Sequence, residues 1–240
     1  MPKTASQMST VVKRNIGGRE NGFVGTSSVD DMILDAINDT IMSIVKRQSD
    51  LPELQRDVTF QILDTDCTYD IPTEDVDGNT ISIKNVAKFS CVIPGSTVLF
   101  TLRYMFQSRF DTAFQHRFSS IKKRPAYYSL FANKIQLDTY PNQTYDCYLR
   151  VNIWPTKLTV NQTHPLTDNF DDVIEAGAVA RTFLALQQTE DANYWEQVFE
   201  KRLQESLYAI REQPDYVPSR GPDVRSPVTD PALDPFVKRM

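Results

Sequence analysis

Proline draws the first boundary in this chain. Six of its 14 prolines, Pro214, Pro218, Pro222, Pro227, Pro231 and Pro235, fall within residues 212–240. Proline has no backbone N–H and clashes with the preceding helical turn, so neither a helix nor a central strand can pass through this stretch. The sequence therefore predicts an extended C-terminal arm over 212–240. Drawn out as polyproline it would reach roughly 90 Å at about 3.1 Å per residue. Apolar residues punctuate it: Tyr216, Val217, Val224, Val228, Leu233, Phe236 and Val237. A segment already restricted by proline loses little freedom on ordering, which suits these residues to binding a partner surface.

At the other end, residues 1–27 are polar, carry Gly17, Gly18, Gly22 and Gly25, and show no sustained periodicity. They are predicted to form an N-terminal arm, with Gly17-Gly18 as linker. The strong periodic signals lie between, over 28–211. Ser28, three residues before Asp31, resembles a capping box, and Met32, Ile33, Ala36, Ile37, Ile41, Ile44 and Val45 follow at helical spacing. Strand-like alternation marks Val58, Phe60 and Ile62, then Tyr69 and Ile71, with a turn at Asp77-Gly78-Asn79. The four-residue spacing of Leu102, Phe106, Phe110 and Phe114 predicts a helix over 98–118. Tyr127–Leu137 and Tyr145–Trp154 are predicted to pair as antiparallel strands. Two helices near 168–188 and 190–211, capped by Asp168 or Asn169 and by Thr189, are expected to close as a hairpin. The small residues Ala176, Gly177, Ala178 and Ala180 would let a neighbouring backbone, including another subunit's, approach closely. The expected fold class is α+β, a helical bundle packed with an antiparallel β-sheet or small β-sandwich.

Chemistry is hard to find. His116 and His164 are too few and too far apart for a metal or triad site, and no phosphate-binding or dinucleotide glycine pattern occurs. Asp30/Asp31 and Asp171/Asp172 open predicted helices, where they favour the positive end of the helix dipole. Cys67, Cys91 and Cys147 form no short-spaced pair and are expected as buried free thiols. No catalytic residue, cofactor or metal site is predicted. No apolar run approaches the roughly 20 residues of a membrane helix, and Met1–Ser6 lacks a secretory signal, so synthesis in a cytosol is expected. The net charge of -5 has the wrong sign for gripping nucleic acid. Against it stands one local excess of cations, Arg103, Arg109, Arg117, Lys122, Lys123 and Arg124, opposed only by Asp111. It reads either as a contact surface for an acidic partner or passing DNA, or as a solvated face.

Several stretches resemble the head-to-tail connector (adaptor) proteins of tailed phages. They are Tyr69-Asp70-Ile71-Pro72, Arg124-Pro125-Ala126-Tyr127-Tyr128, and Lys134-Ile135-Gln136-Leu137 leading to Tyr140-Pro141. The alanine-rich Glu175–Arg181 and the pair Tyr194-Trp195 complete the order, which covers about 28–211 and departs from the family's pattern between 94 and 118. The resemblance implies a homo-oligomeric ring, typically dodecameric, at the head-tail junction of the virion. It would lie beneath the portal protein, with the C-terminal arm along the portal, and above the tail nozzle, tube or fibre proteins. DNA would cross the ring without specific binding. The rival readings are another tail or baseplate component, an enzyme built on Asp171, Asp172 and His164, and a free DNA-binding module.

Overall fold

In the computed structural model the described residues are 1–17, 28–48, 51–114 and 122–211. Among the described residues two compact units emerge: Met1–Phe60, Pro72–Phe89 and 147–211 form one, and Gln61–Ile71 and Ser90–Asp146 the other. The predicted C-terminal arm lies outside the described residues. The fold class is α+β, as expected.

The first unit is helical at its centre. Helix α1 (Ala5–Ile16) corrects the expectation of an N-terminal arm. Thr4 and Gln7 form a reciprocal capping box, and Gly17, at φ 64°, closes the other end. Ala5, Met8, Val12 and Ile16 are all buried, and they lie three or four residues apart, on one narrow stripe. That stripe escapes a periodicity count because lysine, serine, threonine and asparagine fill the rest of the helix. Helix α2 (Val29–Arg47) matches its prediction, with Ser28 Oγ accepting from the Asp31 N–H at 3.1 Å.

After a 3-10 turn at Pro52–Leu54 and the short α3, described below, come α4 (Asp171–Ala185) and α5 (Thr189–Arg211). They run antiparallel: Arg202 and Ser206 near the end of α5 donate to the carbonyls of Asp172 and Asn169 at the start of α4. Neither Asp168 nor Asn169 caps α4. A 3-10 turn over Asp168–Phe170 leads in, and Phe170 stands at the cap without a side-chain bond. The small residues of α4 serve the unit itself rather than an outside neighbour. Ala176, Ala178 and Ala180 are buried, and a Cβ on Gly177 would stand 2.5 Å from Thr40 Cγ2 and 2.8 Å from a Phe199 ring carbon. Glycine is required there because α2 and α5 both press on α4 at that point.

One four-stranded sheet has the order β1 (Gln55–Ile62), β10 (Tyr145–Ile153), β3 (Ile83–Val92), β4 (Leu99–Thr101). Along β10, Tyr145, Cys147, Leu149 and Val151 are buried while Asp146, Tyr148 and Arg150 are exposed, the predicted alternation. Asn152 departs from it: it is buried and its amide donates to Asn85 Oδ1 at 2.6 Å. The turn at Asp77-Gly78-Asn79 forms as expected, with Asp75 accepting from the N–H groups of Asp77 and Asn79. Cys67 is a buried free thiol, but Cys91 and Cys147 are disulfide-bonded. Spacing along the chain misled here, because β3 and β10 are neighbours in the sheet.

The second unit is rich in strand. Its own sheet has the order β2 (Thr68–Asp70), β8 (Lys134–Leu137), β7 (Tyr127–Phe131), β5 (Arg103–Tyr104). Two predictions are corrected. The helix expected over 98–118 is replaced by β4, β5 and the short α3 (Gln107–Ala113), with 115–121 outside the described residues. Aromatic and β-branched residues in Thr97–Tyr104 favour the pleated state over the helix that their spacing mimics. Residues 127–137 are not one strand paired with β10. They fold on themselves as the β7–β8 hairpin, turned by Ala132 at φ 49° and Asn133 at φ 59°. A two-residue turn of this handedness matches the twist of the strands it joins. A parallel pair, β6 (Lys122–Lys123) with β9 (Tyr140–Pro141), lies apart from this sheet.

Candidate contact surfaces

Of the stretches that carried the phage-adaptor resemblance, Glu175–Arg181 and Tyr194-Trp195 lie in α4 and α5, while those of β2, β7 and β8 meet in the sheet of the second unit. Tyr69 and Asp70 of β2 pair with Ile135 and Lys134 of β8, and Tyr128 of β7 pairs with Leu137 of the same β8. Tyr69 closes the turn before its strand. Its hydroxyl accepts from the Leu63 N–H at 3.0 Å and lies 2.6 Å from the Asp66 carbonyl oxygen. Burial holds the Tyr69 and Tyr128 phenols well above their ordinary value. These motifs are therefore structural: they fix the register of one sheet.

That sheet carries Arg103 on β5, while α3 carries Arg109 and β6 carries Lys122 and Lys123. The Arg103 N–H donates to the Ala126 carbonyl at 2.9 Å, and the Met105 N–H to that of Tyr128 at 2.8 Å, so β5 is fastened along β7. Buried Phe110 anchors α3, whose end stacks Phe114 on Tyr127. Arg103, Arg109, Lys122, Lys123 and Arg124 are all exposed, while Arg117 lies outside the described residues. Lys122 is engaged, 2.7 Å from Asp64 Oδ2, and this bond holds the Asp64 carboxyl below its ordinary value. Arg124 lies over the Phe100 ring, 5.2 Å from its centroid. Arg103, Arg109, Lys123 and Arg124 have no ion-pair partner among the described residues. The same unit exposes Val98, Leu99, Phe106 and Phe131 by 47–56%. Guanidinium groups without a carboxylate partner and exposed aromatics are what a protein-binding face displays. The portal-binding residues proposed from the sequence, Tyr216, Val217, Val224, Val228, Leu233, Phe236 and Val237, lie outside the described residues.

The helical unit treats its charges differently. His164 and Asp171, weighed above as enzyme candidates, do meet, with Nε2 2.5 Å from Oδ1. Both are buried, at 2% and 8% exposure. Asp171 also accepts from the Lys3 backbone N–H at 3.2 Å, and Asp172 stays exposed. The Lys3 ammonium lies 2.7 Å from buried Glu175, whose hydrogen bond raises the lysine pKa above its ordinary value. Lys3 and Glu175 were not singled out from the sequence. The signal was there: Glu175 stands inside the otherwise apolar run Val173–Ala180, where a carboxylate needs a partner.

Among the described residues no cluster of His, Cys, Asp and Glu side chains could hold a metal ion, and no helix is long and apolar enough to cross a membrane. In a comparison with known families, residues 3–226 match the family model described as SU10 adaptor protein. The match contains the whole of 28–211, the stretch over which the resemblance was drawn, and takes in α1 as well. No curated protein matches the chain.

Proposed function

The chain belongs to the SU10 adaptor protein family, and we propose that its copies form a ring joining the portal of a tailed phage to the tail components beneath it. The ring is dodecameric, sits at the head-tail junction of the virion after synthesis in the host cytoplasm, and surrounds the path of the DNA without binding it specifically. The C-terminal arm docks on the portal. The exposed cations and aromatics of the strand-rich unit meet an acidic partner surface.

One observation carries this reading. The family match runs to residue 226, well past the end of α5 at Arg211. The proline-punctuated stretch with Tyr216, Val217 and Val224 thus belongs to what the family shares, which favours a role in assembly over that of an incidental tail.

The test is to mix the purified chain with portal particles and image the product by electron microscopy. A ring under the portal is expected. Deleting 212–240 should abolish docking while the thermal transition of the remaining chain stays in place. Docking by the truncated chain as tight as by the full one would remove the arm from the interface, and failure of the full chain to dock would remove the portal as partner.

A further inference from the structure

Helix α1 is capped by Thr4 with Gln7 at one end and by Gly17 at the other. It holds to the rest of the helical unit by the stripe Ala5, Met8, Val12 and Ile16, each at most 1% exposed, and by the clasp of Lys3 on Glu175. The N–H groups of Ala5 and Ser6 add bonds to the Gln162 and Val160 carbonyls at 2.9 Å, and that of Lys3 one to Asp171. Its 12 residues would be marginal as a helix alone in water, so it must dock in a groove of this shape. Lys13 in its last turn pairs with Asp30 in the first turn of α2. The end of one helix thus stands beside the start of the next. Helices so placed need a connection of only about two to five residues. The chain supplies residues 18–27, including Gly18, Gly22 and Gly25, enough to span roughly 33 Å at about 3.3 Å per residue.

We infer that in the assembled particle α1 docks on a second copy of this chain, so that neighbours exchange their N-terminal helices. The inference rests on the self-association proposed above. Every copy carries the same groove, so exchange preserves each contact that α1 makes, including Lys3 with Glu175 and Lys13 with Asp30. It ties copies together without requiring a new interface. The surplus of connecting chain is what exchange needs and what a helix docked on its own body does not. Exchange is confined to neighbours whose Ser28 positions lie within the reach of 18–27.

The test starts from particles assembled from equal amounts of heavy-isotope-labelled and unlabelled chain. A zero-length carbodiimide joins amine to carboxylate only where they already touch, as Lys3 and Glu175 do. Exchange predicts that about half of the Lys3–Glu175 cross-linked peptides combine one heavy and one light partner. Only heavy–heavy and light–light peptides would overturn it. A second measurement does not depend on the reactivity of Glu175. K3E and E175K chains should each fail to assemble alone, yet assemble when mixed, because each α1 then meets a complementary charge on its neighbour. A mixture that fails where the K3E/E175K double variant succeeds would place α1 on its own body. Assembly by either single variant alone would equally overturn the inference, because the clasp would then not hold the helix. Particles that never assemble, even from the wild-type chain, count against the ring instead and leave the two questions distinct.

Discussion

The helical unit and the strand-rich unit use polar groups in opposite ways. In the first, Lys3 meets Glu175, His164 meets Asp171, and Arg181 donates to Thr40 Oγ1 and the Gly177 carbonyl. In the second, Arg103, Arg109, Lys123 and Arg124 stand exposed beside uncovered Phe106 and Phe131. The contrast is one of charge: the first body pairs its buried ionic groups within itself, while the second leaves these four cations without a carboxylate partner among the described residues. Substitutions in the first should therefore be felt as stability, and substitutions in the second as association.

The largest effect is expected where three helices cross. Phe199→Ala should cost about 3–5 kcal/mol by urea denaturation, as emptied aromatic sites in a core do. Gly177→Ala should cost about 1–3 kcal/mol by forcing Thr40 and Phe199 apart. A loss below 1 kcal/mol for both would show that the crossing can relax. Next, Lys3→Ala leaves Glu175 buried without its cation, and about 1.5–3 kcal/mol should be lost, as for other hydrogen bonds to charged groups. Smaller in stability, though decisive for the comparison, is the quadruple variant R103E/R109E/K123E/R124E. Its unfolding free energy should stay within about 0.5 kcal/mol of wild type. Its docking to portal particles, followed by light scattering, should weaken, and most at low salt. Docking unchanged at all salt concentrations would remove this face from the portal contact.

The smallest contrast lies in pH. Hydrogen bonding from the Asn79 N–H holds Asp75 below its ordinary value of 3.8, whereas burial holds Asp138 above it. The stability that Asp75 contributes is thus complete above pH 3.8 and lost as pH falls through its lower folded value. That of Asp138 is complete below pH 3.8 and lost as pH rises through its higher folded value. Site-resolved NMR titration should show the two carboxyls displaced in opposite directions, and D138N should gain stability at neutral pH. Coincident titrations would erase the contrast.

How much of this was legible in the sequence follows the same division. Helix α2 could be read because its apolar face is broad and its cap is a serine followed by aspartates. Helix α1 could not, because four buried positions among polar ones leave too thin a pattern, and its contacts with 160–175 are remote in sequence. The aromatic run at 98–114 carried a helical period by accident of spacing, and the pairing of β5 with β7 overrode it. Of the contact face, the cations were visible as a local excess of charge. Their presentation by β5, α3 and β6 was not, since no local signal announces a parallel two-residue pairing. The pairing of His164 with Asp171 was likewise hidden, as each residue has an ordinary reading by itself.

The hydroxyl of Tyr69 tied to the 63–66 turn, and the pairing of its strand with Lys134–Leu137, bear on how such chains can change. Sliding any one of β2, β8 or β7 by a single residue would turn its inward side chains to solvent. A substitution that shifts one strand is then tolerable only with a matching change in the strand beside it. Inheritance in this sheet is thereby pairwise, written across neighbouring strands more than along any one of them.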